Sequence, residues 1–506
     1  MITGAATPEG TEAFGQKHAN TAFRRLGKTD LTVSQAGFGC YRVAAGERVH
    51  ERALLRAFAK GINLVDTSTN YADGESEKLV GGVLESGVTE GVLQRENVVV
   101  VSKVGYLQGA NYQLSQERKR RGEPFPELVE YAQGLEHCIH PTFLEDQLTR
   151  SLQRLGLETV DVYLLHNPEY YLGRTKKDGM AAQEARREYH RRIRDAFAHL
   201  ETEADRGRIR WYGVSSNTFV EGPDHAEFTS LDALVHLAED LRKDHRFGVI
   251  QLPMNLMEPG AVLEANQPGD RNVLQRAADS GLGVLVNRPL NAIRGKGLFR
   301  LAEVEASEAG EPEDVVQAIQ ALAKSESALS HRILPELTVP SGLQLRIKNQ
   351  LSVGEYLKHY WRGLETYERF RQLRDGVMMP RVQGVMDFLE GYRAESPALA
   401  AWMEKHPHRL DAALSGVGAM YAADAARDIR FVRHAVSEAD ADWAAADNLS
   451  QRALRAVRST AGVTSVLVGM RREVYVDDVA AELARPISAG DRVNAWRRLS
   501  EAVNRG

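Results

Sequence analysis

The strongest constraint on the fold of this chain is a repeated alternation of a short apolar run with a longer, charged amphipathic stretch. The runs lie at 33–39, 62–66, 98–103, 160–166, 209–215, 248–252 and 283–287, and an eighth follows at 464–468. They are rich in Val, Ile and Leu and almost free of polar residues at alternate positions. A strand with one face in water alternates apolar and polar residues. A strand without alternation is buried on both faces, as parallel strands are. Helical spacing occupies the stretches at 51–60, 76–85, 143–155, 191–206, 231–242 and 450–457, and resumes after Tyr475. Eight β-then-α units predict an α/β fold, a closed (β/α)8 TIM barrel, with a doubly wound sheet as the competing arrangement.

Three stretches interrupt the alternation. Residues 105–140 are polar and read as a loop with a charge run at 117–123; 169–190 is basic and has no strand; 299–446 has helical spacing and no convincing strand. Each follows a predicted strand and precedes its helix, which in a barrel puts all three on the face at the strands' C-terminal ends. No internal repeat or flexible linker is present, so these are insertions rather than tethered modules. The predicted organisation is an N-terminal arm at 1–21, a barrel at 22–298 and 447–506, and a mainly α-helical insertion at 299–446 between strand 7 and helix 7. Residues 105–140 and 169–190 become long βα loops on the catalytic face. Within the insertion Tyr356, Tyr360, Trp361, Tyr367 and Phe370 recur near helical spacing, a stripe that reads as core. The insertion is expected either to roof the barrel mouth or to serve as an oligomer interface.

Charge and cysteine content narrow the function classes. Lys and Arg number 64 against 69 Asp and Glu, a net −5, which argues against a nucleic-acid binder relying on overall positive charge. The longest apolar runs are strand-length, so no membrane span is expected. Cys40 and Cys138 lie far apart and cannot form a disulfide framework. With no signal peptide visible at the N-terminus, a cytoplasmic enzyme acting on a small molecule is expected.

The chemistry-bearing residues fall at the ends of the runs. Asp66 ends the second, with Tyr71 five residues later; Lys103 ends the third and His166 the fourth. Ser215, Ser216 and Asn217 end the fifth, Gln251 the sixth, and Gly469, Met470, Arg471 and Arg472 follow the eighth. A buried strand-end lysine needs an anion, and Asp66 can supply it. The segments GFGCYR, NLVDTSTNYADGESEKLVG, VVVVSK, RSLQRLGLETVDVYLLHNPE, GRIRWYGVSSN, VIQLPMN and VTSVLVGMRR occur in that order. Together they resemble the aldo-keto reductase superfamily of NADPH-dependent carbonyl reductases.

The resemblance implies a catalytic tetrad of Asp66, Tyr71, Lys103 and His166. In it Tyr71 is the general acid/base, Lys103 lowers the Tyr71 pKa, Asp66 orients Lys103, and His166 aligns the substrate carbonyl. It also implies an NADP-dependent oxidoreductase interconverting a carbonyl and an alcohol by hydride transfer, either a ketone/aldehyde reductase or a sugar/glycoside-type dehydrogenase. His166 favours carbonyl chemistry, because family members that reduce activated C=C bonds carry Glu there. Ser216, Asn217 and Gln251 would hold the nicotinamide carboxamide, and Arg471 and Arg472, with Gly469 beside them, the adenosine 2′-phosphate. That favours NADP, with NAD as the alternative. Cys40 and Tyr41 would line the substrate pocket. No G-x-G-x-x-G follows a strand, so a Rossmann nucleotide site is not expected.

Two departures stand out. Where the family often has an aromatic that stacks on nicotinamide, this chain has Asn287, and the following Arg288 is a candidate contact for the pyrophosphate or a substrate anion. Tyr475 and Val479 occupy positions where the family often contacts adenine through polar side chains. His137, Cys138 and His140 offer three metal ligands without a fourth at matching spacing, so no metal is expected. The competing function is a cofactor-binding regulatory or redox-sensing subunit that uses the helical insertion as its partner interface.

Overall fold

In the computed structural model the apolar runs become the strands β1 (Ala36–Gly39), β2 (Leu64–Asp66), β3 (Val99–Val104), β4 (Val160–His166), β5 (Ile209–Ser215), β6 (Phe247–Pro253), β7 (Gly283–Asn287) and β8 (Ser465–Val468). All pair in parallel from β1 round to β8, and β8 pairs back onto β1, closing the barrel. Each strand is followed by its helix: α1 (Arg48–Ala59), α2 (Glu75–Thr89), α3 (Pro141–Leu155), α4 (Ala182–Asp205), α5 (Leu231–Leu241), α6 (Val273–Asp279), α7 (Leu449–Arg458) and α8 (Glu473–Leu483). The fold is the (β/α)8 barrel, not the doubly wound sheet. Residues 1–294, 297–305 and 310–505 are described; 306–309 of the predicted insertion and the last residue of the 447–506 segment lie outside them.

The first apolar run does not form one strand. Thr32–Ser34 pairs antiparallel with Phe23–Arg25, and only Ala36–Gly39 enters the barrel. The hairpin carries Leu26, Leu31 and Val33 into one core cluster with Leu64, Val99, Val101, Val162, Leu164, Val249, Leu285 and Leu467. Its turn meets the start of β7: a Cβ on Gly27, whose φ is 53°, would lie 2.4 Å from the Gly281 carbonyl oxygen and the Gly283 nitrogen. Only glycine fits there. The hairpin therefore plugs the end of the barrel at which the strands begin.

Residues 105–140 are not a loop. They fold into a helix, Gly109–Arg120, and a three-stranded antiparallel sheet of Tyr106–Leu107, Leu135–His137 and Val129–Ala132 with Leu135–His137 in the middle. The charge run is partly structural. Glu136 is buried, and its carboxylate accepts hydrogen bonds from Ser115 Oγ (2.6 Å), Gln116 Nε2 (2.8 Å) and Lys119 Nζ (2.6 Å). Residues 169–190 supply the helix Tyr170–Lys177 and the first turns of α4.

The chain divides into two compact units, Asn291–Ala435 and the remainder. The smaller begins with an antiparallel hairpin, Asn291–Arg294 with Gly297–Arg300, where the sequence suggested no strand. Helices follow at Pro312–Ala328, Ser341–Gln350, Val353–Tyr360, Tyr367–Leu373 and Met379–Glu390, and a long one starts at Pro397. Leu322, Leu357, Phe370, Leu389, Leu399, Trp402 and Val417 form part of its core. The aromatic stripe splits: Trp361 and Phe370 are buried and Tyr367 packs on the core, whereas Tyr356 and Tyr360 are exposed. The unit ends before 446 because the following segment packs elsewhere. Trp443 is buried against Trp496 at 4.9 Å between ring centroids and donates to Ser459 Oγ at 3.1 Å. Among the described residues no helix is long and apolar enough to cross a membrane.

Candidate active site

Strand geometry alone places a polar layer at the barrel mouth. Successive side chains on a strand point to opposite faces, so residues two apart share one face. Two positions beyond the interior residues Leu64, Val101, Leu164, Val249, Leu285 and Leu467 stand Asp66, Lys103, His166, Gln251, Asn287 and Gly469. On β5 the same parity, counted from Trp211, which packs on this core, passes through Gly213 to Ser215. Gly213 is obligatory, since a Cβ would lie 1.7 Å from the Val249 carbonyl oxygen. After the strands the backbone turns sharply. Ala72 and Asp73 after β2, Asn167 after β4 and Arg288 after β7 have φ between 48° and 55°, a region unfavourable to side chains other than Asn and Asp. Such turns cluster at functional ends of a fold.

Lys103 is at the centre of this layer. Its side chain is 0% exposed, and its ammonium donates to Asp66 Oδ2 (2.7 Å), the Thr67 carbonyl (2.9 Å) and Tyr71 Oη (3.2 Å). An ammonium has three N–H donors, and all three are used. Tyr71 Oη is thus an acceptor toward Lys103, which leaves the phenol's own proton free to point elsewhere. Burial alone would lower the Lys103 pKa, but Asp66 and Tyr71 outweigh it and hold the ammonium above its ordinary value. Burial pushes Asp66 up, against the pull of Lys103 and of Gln251, whose Nε2 donates to Asp66 Oδ1 at 2.8 Å. The resemblance implied a Tyr71 pKa lowered by Lys103. Burial is the larger effect, and the phenol is pushed up to about 12 with Lys103 opposing. Tyr71 therefore holds its proton at neutral pH.

His166 completes the group. Its ring centroid is 6.0 Å from that of Tyr71, and its Nδ1 lies 3.2 Å from Ser68 Oγ. Burial, reinforced by Lys103 and His137, keeps the imidazole well below its ordinary pKa and so neutral at pH 7. His137, grouped in sequence with Cys138 and His140, has another place. It is buried and its Nε2–H donates to the His166 carbonyl at 2.8 Å. Gly105 makes room for that bond, because a Cβ there would lie 2.5 Å from His137 Nε2 and 2.7 Å from the His166 oxygen. Tyr106 stands edge-on to His166 at 4.7 Å. Among the described residues no group of three or more His, Cys, Asp or Glu is placed to hold a metal ion.

The two candidate pocket residues separate. Tyr41 is 67% exposed and meets the Tyr71 ring edge-on at 5.2 Å. Cys40 is wholly buried, its thiol pushed up by burial, so it presents no surface to a ligand.

The candidate cofactor residues divide by strand parity. Ser215 points inward and donates to Gln251 Oε1 at 3.2 Å; Ser216 points the other way, into a buried hydroxyl cluster with Thr218 (3.1 Å) and Thr229 (3.2 Å). Asn217 is half-buried, and its backbone N–H donates to Glu169 Oε1 at 2.9 Å. Burial pushes the Glu169 carboxyl up to about 7. Gln251 has both ends engaged, Nε2 on Asp66 and Oε1 on Ser215 and Asn287. Arg288 pairs with Glu258 at 3.1 Å, and among the described residues its buried Nε has no partner. Gly469 is exposed, with open space where a Cβ would stand. Arg471 is half-buried and Arg472 exposed at the start of α8, whose first N–H groups receive no side-chain cap.

A profile of the aldo/keto reductase family matches residues 38–334, more than half of the chain. The chain belongs to the aldo/keto reductase family. It is 31% identical over 149 residues to the NADH-specific methylglyoxal reductase of Escherichia coli (strain K12), a match covering 28% of this chain and 40% of that protein. It is 25% identical over 193 residues to the uncharacterized oxidoreductase YqkF of Bacillus subtilis (strain 168), covering 38% of this chain and 48% of the relative. The chain thus spans less than half the length of the curated relatives it matches. Similar solved structures include the glycerol dehydrogenase AKR11B4 from Gluconobacter oxydans, at 16% identity and TM-score 0.45 over 96% of both chains. The aldo-keto reductase AKR11C1 from Bacillus halodurans matches at 18% identity and TM-score 0.35, over 65% of this chain and 81% of that one.

Proposed function

We propose that this protein is a nicotinamide-dependent oxidoreductase that interconverts a carbonyl and an alcohol, using NADP in preference to NAD. The observation that carries this reading is the saturated Lys103 ammonium, which makes Tyr71 Oη an acceptor and frees its proton for a substrate. A bound reduced nicotinamide supplies hydride to the carbonyl carbon. Tyr71 delivers the proton to the carbonyl oxygen as the C–O double bond becomes a single bond, and Lys103 stabilises the phenolate left behind. Asp66 keeps Lys103 charged and in place. Neutral His166 offers its second ring nitrogen as an orienting partner for the substrate oxygen. Tyr71 carries its proton at neutral pH, the form that a proton donor to the carbonyl oxygen requires.

The mouth fits such a cofactor. It combines, among the described residues, an unpartnered acceptor on Asn287, an unpartnered donor on Arg288, an open surface at Gly469, and two guanidinium groups at a helix N-terminus without a side-chain cap. Helix N-termini and arginine forks both suit phosphate, so Arg471 and Arg472 would hold the 2′-phosphate. The Escherichia coli relative is named for NADH and methylglyoxal, which makes the cofactor choice here a point for direct test. Tyr41, exposed beside Tyr71, gives the substrate side an aromatic wall suited to ketones, aldehydes or sugar-type alcohols. The test is NADPH oxidation against a panel of aldehydes, ketones and ketosugars, and NADP+ reduction against the matching alcohols. Turnover of at least one pair supports the reading. Cofactor binding with no turnover across the panel opposes it.

A further inference from the structure

At the end of β7 the buried Oδ1 of Asn287 has no hydrogen-bond partner among the described residues. Its identity as an oxygen follows from a chain of amides. Asp66 Oδ1 receives a hydrogen bond from the Gln251 side chain at 2.8 Å, and a carboxylate paired with Lys103 can only accept. The Gln251 amide must therefore turn its NH2 toward Asp66 and its carbonyl away. That carbonyl oxygen accepts from Ser215 Oγ at 3.2 Å and from Asn287 Nδ2 at 3.3 Å. Asn287 must in turn present its NH2 to Gln251, which leaves Oδ1 on the far side. The Asp66 charge thus fixes, through two amides, an acceptor at the mouth of β7. Leaving a buried acceptor unmade costs free energy, and polar groups of this kind persist where a ligand completes them.

We propose that Asn287 Oδ1 accepts a carboxamide N–H of the bound nicotinamide ring, so that this chain holds the ring by a directed hydrogen bond at the position where a stacking aromatic is absent. The inference rests on the nicotinamide-dependent reading above. It makes Asn287 a cofactor-orienting residue, and it ties ring orientation to the Asp66–Lys103 pair that serves Tyr71. The Gln251 carbonyl oxygen already accepts two hydrogen bonds inside the protein, from Ser215 and Asn287, so accepting the carboxamide N–H falls to its neighbour.

The test uses two cofactors that differ only at this group: NADP+, and its 3-acetylpyridine analogue, in which a methyl replaces the NH2 and the carbonyl oxygen remains. Dissociation constants are measured by titration calorimetry on the full-length protein and on Asn287→Leu. The wild type is expected to bind NADP+ about five- to tenfold more tightly than the analogue, the scale of one hydrogen bond. Asn287→Leu is expected to lose that preference by weakening NADP+ alone. Equal wild-type affinities overturn the inference without any variant, while the functional reading stands. A preference that survives in Asn287→Leu assigns the N–H to another residue and also overturns it. Failure of the wild type to bind either compound overturns the functional reading itself, and the inference with it.

Discussion

Replacing Asp66 by Leu removes the one carboxylate among the described residues that touches the Lys103 ammonium, and leaves that ammonium buried with two neutral acceptors, Thr67 O and Tyr71 Oη. Both members of the pair are nearly inaccessible, with side-chain exposures of 0% for Lys103 and 5% for Asp66 at 2.7 Å separation. Breaking a buried pair by removing one partner costs about 3–5 kcal/mol, so Asp66→Leu and Lys103→Met should each destabilise the barrel by that amount. Adding the two singles gives about 6–10 kcal/mol. The double variant contains no buried charge at this place. Its remaining defects are the Gln251 amide and the Thr67 carbonyl, each left without a partner at about 1–3 kcal/mol, or about 2–6 kcal/mol together. The cycle thus predicts a coupling energy on the order of 4 kcal/mol. Urea unfolding of all four proteins, followed by far-ultraviolet circular dichroism, measures it. A coupling below about 1 kcal/mol would falsify the claim that the two charges depend on each other. All three variants should be inactive, including the double, which is destabilised about as much as either single, because each breaks the pair that serves Tyr71.

Three further outcomes are expected. His406 in the Asn291–Ala435 unit is wholly buried, stacked on Trp402 at 4.3 Å, and held down to about 4 by burial, with Arg409 adding to it. Against an ordinary 6.5, the unfolded chain binds a proton that the folded one refuses; stability linked to this group is complete above about pH 6.5 and is lost as the pH falls toward about 4, by about 3 kcal/mol in all. The stability difference between wild type and His406→Gln should track that window, and a difference constant with pH would refute it. Arg471→Ala should weaken NADPH binding by at least tenfold and leave NADH nearly unchanged, since only NADPH carries the 2′-phosphate; equal losses for both cofactors would remove the NADP assignment. Gly105→Ala should lower kcat while cofactor affinity holds, because its Cβ displaces His137 from the His166 carbonyl; an unchanged kcat would show that the His137 contact does not position His166.

The barrel was legible in sequence because its strands are buried on both faces, so runs such as 98–101 and 283–286 are free of polar residues and are followed closely by a polar strand end, Lys103 and Asn287. That last residue also made the site legible: Asp66, Lys103 and His166 are polar only at the end of an apolar run, and burial there demands a partner. What escaped has a physical reason in each case. The sheet within 105–140 is made of strands of two to four residues, too short to show a period, and its centre holds Glu136, a buried carboxylate satisfied by side chains 17 to 21 residues away. His137 acts on a backbone carbonyl 29 residues distant, which leaves no spacing to read. Ser215 and Asn287 were both in view at their strand ends, and their inward direction could have been read by counting in twos from Trp211 and Leu285, since parity decides which of two neighbouring serines faces the barrel interior. The direction of the Tyr71 shift could not, because whether Lys103 or burial dominates depends on how much water reaches the phenol.

The most direct measurement is the pair of constants kcat and NADPH Kd for Tyr71→Phe beside the wild type, with a carbonyl substrate taken from the panel. The substitution deletes one hydroxyl and leaves Lys103 with Asp66 and the Thr67 carbonyl, so cofactor affinity should stay within about twofold while kcat falls about 10²–10⁴-fold, the contribution of a general acid. A Tyr71→Phe protein that binds NADPH normally and keeps most of its turnover would contradict the account, since the proton would then come from a group other than the one Lys103 sets free.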